Sequence, residues 1–340
     1  MTAGGMDGAD CAQFVAGMRF RFAFARLLLI AAPTCAQTPL GVGTYTETFD
    51  ALPASLSAGW SVRTGASAST LGTDAGGTSF APAATSWGSS TGNFRNVASA
   101  LNPGATLSDS TAVQAAYSNR ALGLRQTSSF GDPGAAITFN FSTNGLSVNS
   151  ISFSAQLLSV QSYSTIWLLQ CATGSNPSAW TTLAAFNDPD AFSATTVTAP
   201  AAATLGPLLN NQSSAWLRVV ALSAATGTGS RDTFAIDNFT IVTTAAVPPA
   251  IFTPPASQTI TAFQSATFAV AATGVGTLSY QWRKSTHAIA GAIGPTYTLT
   301  GVMATDAGSY DVTVTDANGS TTSSAATLTV NKAPAVVTLG

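Results

Sequence analysis

Few side chains in this sequence have the chemistry of a catalytic group. Beyond residue 36 the chain holds one glutamate, Glu47, one histidine, His287, and two lysines, Lys284 and Lys332. His287 stands in a short polar turn after an expected strand and should face solvent, yet any Ser/His/Asp triad would have to include it. Phosphate loops, nucleotide fingerprints and cysteine–histidine metal motifs are absent from the sequence. The sequence therefore predicts a protein that is not an enzyme.

Four carboxylates are candidates for a structural calcium site. Glu47 and Asp50 lie on the first expected strand, and Asp232 and Asp237 lie on or beside the last. The ends of such strands commonly run next to each other in a β-sandwich, and carboxylate oxygens suit Ca²⁺. In the alternative interpretation, which we favour, Asp50 and Asp232 cap turns while Asp237 accepts backbone hydrogen bonds. We expect no other cofactor.

Two tryptophans are candidates for contact with a glycan. Trp87 stands in a loop of small polar residues and Trp60 at the start of a strand, whereas Trp167 and Trp216 belong to alternating strands typical of a core. An exposed indole ring could stack on the apolar face of a sugar. The alternative is a loop tryptophan that folds back over the edge of the sandwich.

Composition indicates a β protein with several short strands. The chain has 340 residues, of which 46% are hydrophobic and 8% charged, with 30 glycines and 16 prolines. It lacks long amphipathic stretches, so we expect an all-β protein with two domains. The net charge is −2 and the basic residues are scattered. This pattern argues against binding to nucleic acid or to anionic membranes.

The N-terminal residues have the pattern of a secretory signal. Arg19, Arg21 and Arg26 precede an apolar run at 27–32, and small residues end it at Ala36. We expect residues 1–36 to be a leader and signal peptide cleaved after Ala36, which would make the protein secreted or exposed at the cell surface without membrane insertion. A buried first helix is the alternative. Cleavage would leave Cys171 as the single cysteine, and its apolar surroundings predict an inert thiol.

Prolines divide the chain. Paired prolines favour an extended linker at 245–256, between a first domain at 37–244 and a second at 257–331. Residues 64–118 are rich in small residues, and we expect long surface loops there that could include one short strand. The strands expected in the first domain span residues 44–49, 60–63, 120–126, 136–141, 151–158, 166–171, 180–186, 216–222 and 234–242.

The first domain resembles a jelly-roll module of secreted bacterial surface proteins. The resemblance lies in the order of several short motifs, at 48–50, 59–60, 119–123, 216–218 and 235–239. It implies a jelly-roll or lectin-like β-sandwich. Fold likeness of this kind raises the prior for carbohydrate binding without identifying a site.

The second domain resembles bacterial immunoglobulin-like domains. The resemblance lies in residues 280–282, Tyr-Gln-Trp, and in residues 306–312, Asp-Ala-Gly-Ser-Tyr-Asp-Val. It implies that Val270 and Val312 occupy the places of the usual cysteine pair and that Trp282 packs against them. It also implies that the hydroxyl of Tyr310 donates to backbone near Thr305 or Asp306. Alternating apolar residues on the expected strands independently predict one shared core.

These expectations favour a modular, non-catalytic protein. We expect an exported surface protein with an adhesion, display or spacer role, with glycans or other surface proteins as partners. The alternative is a carbohydrate-binding accessory module of a secreted polysaccharide-degrading protein. Residues 332–340 resemble a linker leading into a further module, so we also expect a fragment of a longer repeat protein.

Overall fold

The computed structural model describes residues 37–52, 56–75, 80–188, 191–227 and 231–333. The chain divides into two compact units: the first contains residues up to Thr244 except 145–147, and the second contains those three residues and the chain from Ala245 onward. The expected leader at 1–36, and 334–340 of the expected lead-in to a further module, lie outside the described residues. Among the residues described, no helix is both long and apolar enough to cross a membrane.

The described part of the first unit is mostly β-structure, with two short helices. The helices are α1 (Thr111–Ala116) and α2 (Ala202–Leu209). The strands are β1 (Thr38–Pro39), β2 (Gly43–Glu47), β3 (Trp60–Thr64), β4 (Thr73–Asp74), β5 (Phe80–Thr85), β6 (Asn93–Ala98), β7 (Arg120–Arg125), β8 (Ala136–Ser142), β9 (Leu146–Ser159), β10 (Tyr163–Ser164), β11 (Ile166–Thr173), β12 (Thr181–Asn187), β13 (Ser193–Thr198), β14 (Ala215–Val220), β15 (Thr226–Gly227) and β16 (Thr233–Ala245).

Two seven-stranded sheets form the sandwich of this unit. One has the order β12-β11-β14-β8-β3-β4, with β1 beside β8, and the other has the order β13-β9-β16-β7-β6-β5, with β2 beside β16. Strands β10 and β15 form a separate pair. Alternate residues of the two sheets meet in one core, as Phe139 and Leu217 do with Phe153 and Ile236. Each strand expected in this unit from the sequence overlaps an observed strand, so that prediction is confirmed.

The prediction of long surface loops at 64–118 was wrong. This stretch contains β4, β5, α1 and the buried strand β6, which pairs with β7 along its whole length. Strand β6 was not predicted because it carries Arg95 and Asn96, two polar residues that are nevertheless buried. Arg95 donates to the carbonyl oxygens of Ser89 and Thr91, so tertiary contacts compensate for its burial.

The second unit is an immunoglobulin-like sandwich. Its strands are β17 (Ala250–Thr253), β18 (Gln258–Thr261), β19 (Ala266–Ala269), β20 (Ala271–Thr273), β21 (Ser279–Lys284), β22 (His287–Ala288), β23 (Thr296–Leu299), β24 (Gly308–Asp316), β25 (Gly319–Thr322) and β26 (Ala326–Asn331). The larger sheet has the order β18-β26-β24-β21-β22, with β25 beside β24, and the pairs β17–β20 and β19–β23 complete the unit. Strand β17 lies within the linker expected at 245–256, so part of that range is strand.

The core of the second unit matches the expectation from its alternating residues. Trp282 is fully buried in one cluster with Val270 and Val312, the two residues that the resemblance assigns to the places of the usual cysteines. The hydroxyl of Tyr310 donates to the carbonyl oxygen of Asp306 at 2.7 Å, which confirms the expected contact. Burial raises the pKa of Tyr310 to about 12, so this hydroxyl remains a donor at neutral pH.

Candidate functional site

The structure does not gather the four predicted calcium ligands into one site. Asp232 and Asp237 are five residues apart along extended chain, which corresponds to roughly 16 Å. Glu47 lies on β2, opposite Phe239 of β16, and only Asp50 interacts electrostatically with Asp237. Across the described ranges, no group of three or more histidine, cysteine, aspartate or glutamate side chains is arranged to hold a metal ion. The prediction of a shared calcium site was therefore wrong.

These carboxylates instead accept hydrogen bonds that fix the backbone. Glu47 Oε1 accepts from the amide of Phe49 at 3.0 Å, and Asp50 Oδ1 accepts from the amide of Arg120 at 2.8 Å. Asp237 Oδ1 accepts from the amide of Asn238 at 2.6 Å. The alternative interpretation of turn capping and backbone acceptance describes their contacts. Sequence could not distinguish the two because both place carboxylates near strand ends.

Asp232 forms part of a different acidic contact. It accepts from the amide of Gln161 and hydrogen bonds with Asp188, which in turn accepts from the amide of Thr165. Burial, with a smaller contribution from the adjacent Asp188, raises the pKa of Asp232 to about 7, against the lowering effects of the Gln161 amide and Arg125. Two carboxyl groups this close share a proton more readily than they both ionise.

Both tryptophans proposed as glycan platforms are buried, so that prediction was wrong. Trp87 is 2% exposed, and its indole nitrogen donates to the carbonyl oxygen of Ala98 at 2.8 Å. Trp60 is 6% exposed, donates to the hydroxyl of Tyr45 at 2.9 Å, and stacks on Phe139. Trp87 is the case anticipated as the alternative, a loop indole that folds back against the sandwich. Neither ring face is available to a ligand.

The clearest surface feature of the first unit begins at an irregularity in β16. This strand pairs with β7 as far as Ile236 and with β2 from Phe239 onward. Asn238 lies between the two pairings with a positive φ of 48°, and its side chain is exposed. A bulge of this kind redirects side chains, because one extra residue interrupts the alternation of the strand. Asparagine tolerates this backbone conformation better than most residues.

An open groove, here named the outer groove, lies beside this bulge. It crosses the outer face of β13, β9 and β16 and encloses about 180 Å³. Its lining includes one amide, several hydroxyls and an apolar rim residue: Asn238, Ser152, Ser154, Thr196, Thr240 and Leu101. All of its lining side chains are uncharged. Groups of this kind hold a ligand through neutral hydrogen bonds.

A buried polar network fixes the rim of the outer groove. Ser99 Oγ donates to Asp237 Oδ2 at 2.6 Å and accepts from the amide of Leu101 at 3.1 Å. Gln156 donates to Ser99 Oγ at 2.9 Å and accepts from the amide of Ala100 at 2.8 Å. Burial raises the pKa of Asp237 to about 6, against the lowering effect of the Ser99 hydrogen bond. The rim is therefore held by a satisfied network rather than by loose loop contacts.

Sequence reasoning missed the residues of the outer groove. Asn238 belongs to a motif used for the jelly-roll resemblance, yet nothing in its neighbours indicates an exposed side chain within a buried strand. Thr196 and Ser154 lie opposite each other only because β13 pairs with β9 in one particular register. The available signal was the alternation of small hydroxyl residues at 152–154 and 194–198, which is also typical of any solvated strand.

The remaining candidate side chains have structural contacts. The ring of His287 is exposed, with Nδ1 at 2.9 Å from the carbonyl oxygen of Ser285. Cys171 is a free, buried thiol, and burial raises its pKa to about 11. A neutral, buried thiol is a poor nucleophile.

Comparison with known proteins identifies no family for this chain. Neither a protein-family model nor a curated protein matches it. Solved structures with some similarity include the titin M10–obscurin-like 1 Ig complex, at 26% identity over 26% of this chain and 98% of that chain, with a TM-score of 0.24. The tandem Ig repeats of Dlar are 16% identical over 35% of this chain and 71% of that chain, also with a TM-score of 0.24. Drosophila OTK extracellular domains 3–5 are 17% identical over 34% of this chain and 44% of that chain, with a TM-score of 0.24. Scores this low support no functional assignment.

Proposed function

We propose that this chain is an exported, non-catalytic modular protein of the bacterial cell surface, with an adhesion, display or spacer role. The observation that carries the proposal is the division into two β units that each have their own buried core. Such units can be joined in series, because each is stabilised mainly by its own contacts. The proposal draws further support from the signal-like residues at 1–36.

The lack of a cysteine pair in the second unit fits this role. Val270 and Val312 take part in an apolar cluster with Trp282, so the sandwich needs no oxidation step to fold. A disulfide would add roughly 2–4 kcal/mol in typical cases, and here aromatic and aliphatic packing takes its place. Phe268 stacks on Tyr310 with ring centroids 4.9 Å apart in the same cluster.

Surface exposure is directly testable. The full chain, with an epitope tag at its C-terminus, would be expressed in a bacterial host and probed on intact cells with an antibody and with added protease. We expect antibody binding that protease abolishes. A matched Leu28→Arg variant, which interrupts the apolar run at 27–32, should keep the tag inside the cell. Retention of the unchanged chain inside the cell, at a level equal to that of the variant, would contradict export.

Carbohydrate binding is the second candidate function, and the outer groove is the observation that favours it. The buried positions of Trp60 and Trp87 remove the aromatic platforms first expected. The hydroxyls and the amide of the groove nevertheless offer neutral donors and acceptors. A glycan array probed with the full chain would test this role, and no retained sugar at high protein concentration would count against it.

A further inference from the structure

Two side chains of the outer groove have unused hydrogen-bonding capacity. Within the described part of the chain, neither the amide of Asn238 nor the hydroxyl of Thr196 makes a side-chain hydrogen bond, whereas Ser152 and Thr240 bond to each other at 2.8 Å. Asn238 lies on β16 and Thr196 on β13, with β9 between them. Neighbouring strands are roughly 4.8 Å apart, so these two groups face the groove from opposite sides, about 10 Å apart.

We propose that the outer groove binds a neutral saccharide of one or two rings, with Asn238 and Thr196 as its principal hydrogen-bonding residues. This inference rests on the second candidate function and gives it a location. The asparagine amide supplies one acceptor and two donors, which suit a pair of neighbouring sugar hydroxyls. The threonine hydroxyl can donate to or accept from a hydroxyl at the other end of the ligand.

The lining of the groove favours this class of ligand over charged ones. A phosphate or carboxylate ligand would require a basic side chain or a cluster of amide donors, and a cation would require carboxylates. The lining instead combines hydroxyls and an amide with the apolar side chains of Leu101 and Ala194. Such groups can contact the C–H face of a sugar ring while the polar groups bind its hydroxyls.

The size of the groove sets the size of the ligand. Its volume of about 180 Å³ lies below the roughly 300–1,000 Å³ of pockets for drug-sized molecules. The width across three strands, about 10 Å, accommodates one or two rings. The one aromatic residue of the lining, Phe153, is buried with its ring in the core against Phe186, so it offers no stacking face. We therefore expect weak binding, with a dissociation constant on the order of 1 mM.

The rim is preorganised for such a ligand. Leu101 is held through Ser99, whose hydroxyl is fixed by both Asp237 and Gln156. A loop that is already ordered in the free protein loses little conformational entropy on binding. This arrangement gives the fully buried carboxylate of Asp237 a positioning role, since its contacts lie behind the groove.

Amide resonances of the full chain would test the proposal during titration with cellobiose, maltose and N,N′-diacetylchitobiose at millimolar concentrations. We expect at least one sugar to shift resonances of residues 152–154, 194–196 and 238–240 in a saturable manner. Asn238→Gly removes the amide while keeping a residue suited to a φ of 48°, and Thr196→Val removes a hydroxyl at nearly constant volume. Each variant should weaken binding by about five- to tenfold, the loss expected for one hydrogen bond.

Matched controls separate local binding from general perturbation. Asn211→Gly replaces another asparagine with a positive φ, and Thr198→Val replaces another exposed threonine of β13, both outside the groove lining. Both should bind the sugar as the unchanged chain does. If Asn238→Gly and Thr196→Val both leave sugar binding intact, the assignment of the site to the outer groove is wrong, although the protein would still bind carbohydrate. If none of the three sugars causes saturable shifts, the proposed saccharide site is wrong, whereas export and surface display would stand.

Discussion

At the scale of single residues, two buried arginines find their hydrogen-bond acceptors within the fold. Arg218 donates to the carbonyl oxygens of Ser67 and Thr70 and lies over the ring of Trp180 at 3.8 Å. Burial lowers its pKa to about 10, which leaves it charged at neutral pH. Arg120 similarly donates to Asn96 and to the carbonyl oxygen of Gln114. These side chains hold loops against the sheets, so their charge contributes to architecture.

Cys171 should be unreactive in the folded protein. Its pKa of about 11 leaves almost no thiolate at neutral pH, and burial in the core of the first unit blocks access. We expect a maleimide reagent to label the native chain lacking residues 1–36 very slowly and the denatured chain rapidly, as read by mass spectrometry. Rapid stoichiometric labelling without denaturant would contradict this.

The half-buried carboxyl of Asp232 and the buried carboxyl of Asp237 should make the first unit less stable as pH rises. Their pKa values, about 7 and about 6, lie above the ordinary value of 3.8, so the folded state binds these protons more tightly than the unfolded state. The resulting stability is fully present below about pH 4 and is lost as pH rises through about 6 to 7. We expect the melting temperature of this unit to fall between about pH 5 and about pH 8.

Two variants identify the source of this pH dependence. Asp232→Asn should reduce the fall in melting temperature, because an amide cannot ionise yet can still accept from Gln161. Asp109→Asn is the control: hydrogen bonds from Thr106 and Tyr117 lower the pKa of Asp109, so it titrates below the tested range. The attribution to Asp232 fails if its variant retains the full pH dependence.

At the scale of elements, β6 shows how tertiary contacts define a strand that sequence does not. Its six residues include two asparagines and an arginine, a composition that suggests a loop. Pairing with β7 satisfies its backbone, while Phe94 enters the main core and Val97 joins a second cluster with Trp87. The alternation of apolar and polar residues along β6 is weak, because residues on both faces of this strand are buried.

Hydrogen exchange would distinguish a buried strand from a loop at this position. We expect the amides of β6 that bond to β7 to exchange slowly, at rates similar to those of β8 in the same unit. Amides of the exposed turn at 106–109 should exchange rapidly, which provides an internal reference. Rapid exchange throughout 93–98 would restore the interpretation of this stretch as a loop.

At the scale of the whole molecule, separate cores predict separate unfolding. Trp282 is fully buried in the core of the second unit, and Trp282→Ala should destabilise that unit by about 3 kcal/mol or more. Trp60→Ala is the matched change in the first unit. We expect calorimetry to show two transitions, with each variant lowering only one of them. A single transition that both variants lower equally would indicate that the two cores are coupled.

Much of the fold was predictable from the sequence, and little of the candidate site was. The strands with regular apolar alternation were found because period-two burial leaves a pattern in sequence. The contact between Tyr310 and Asp306 was expected from the resemblance to immunoglobulin-like domains. The predictions of a calcium site and of tryptophan platforms were wrong, because side-chain chemistry does not reveal whether a group faces solvent or a neighbouring loop.

The sequence by itself determined the all-β class, the order of most strands and the disulfide-free core of the second unit. Only the tertiary structure decided that Glu47, Asp50 and Asp237 fix backbone, that Trp60 and Trp87 are buried, and that Asn238 opens onto a groove. The physical reason is the range of the interactions. Alternation is set by residues two positions apart, whereas the groove depends on the register of strands distant in sequence and on one bulge that breaks the alternation.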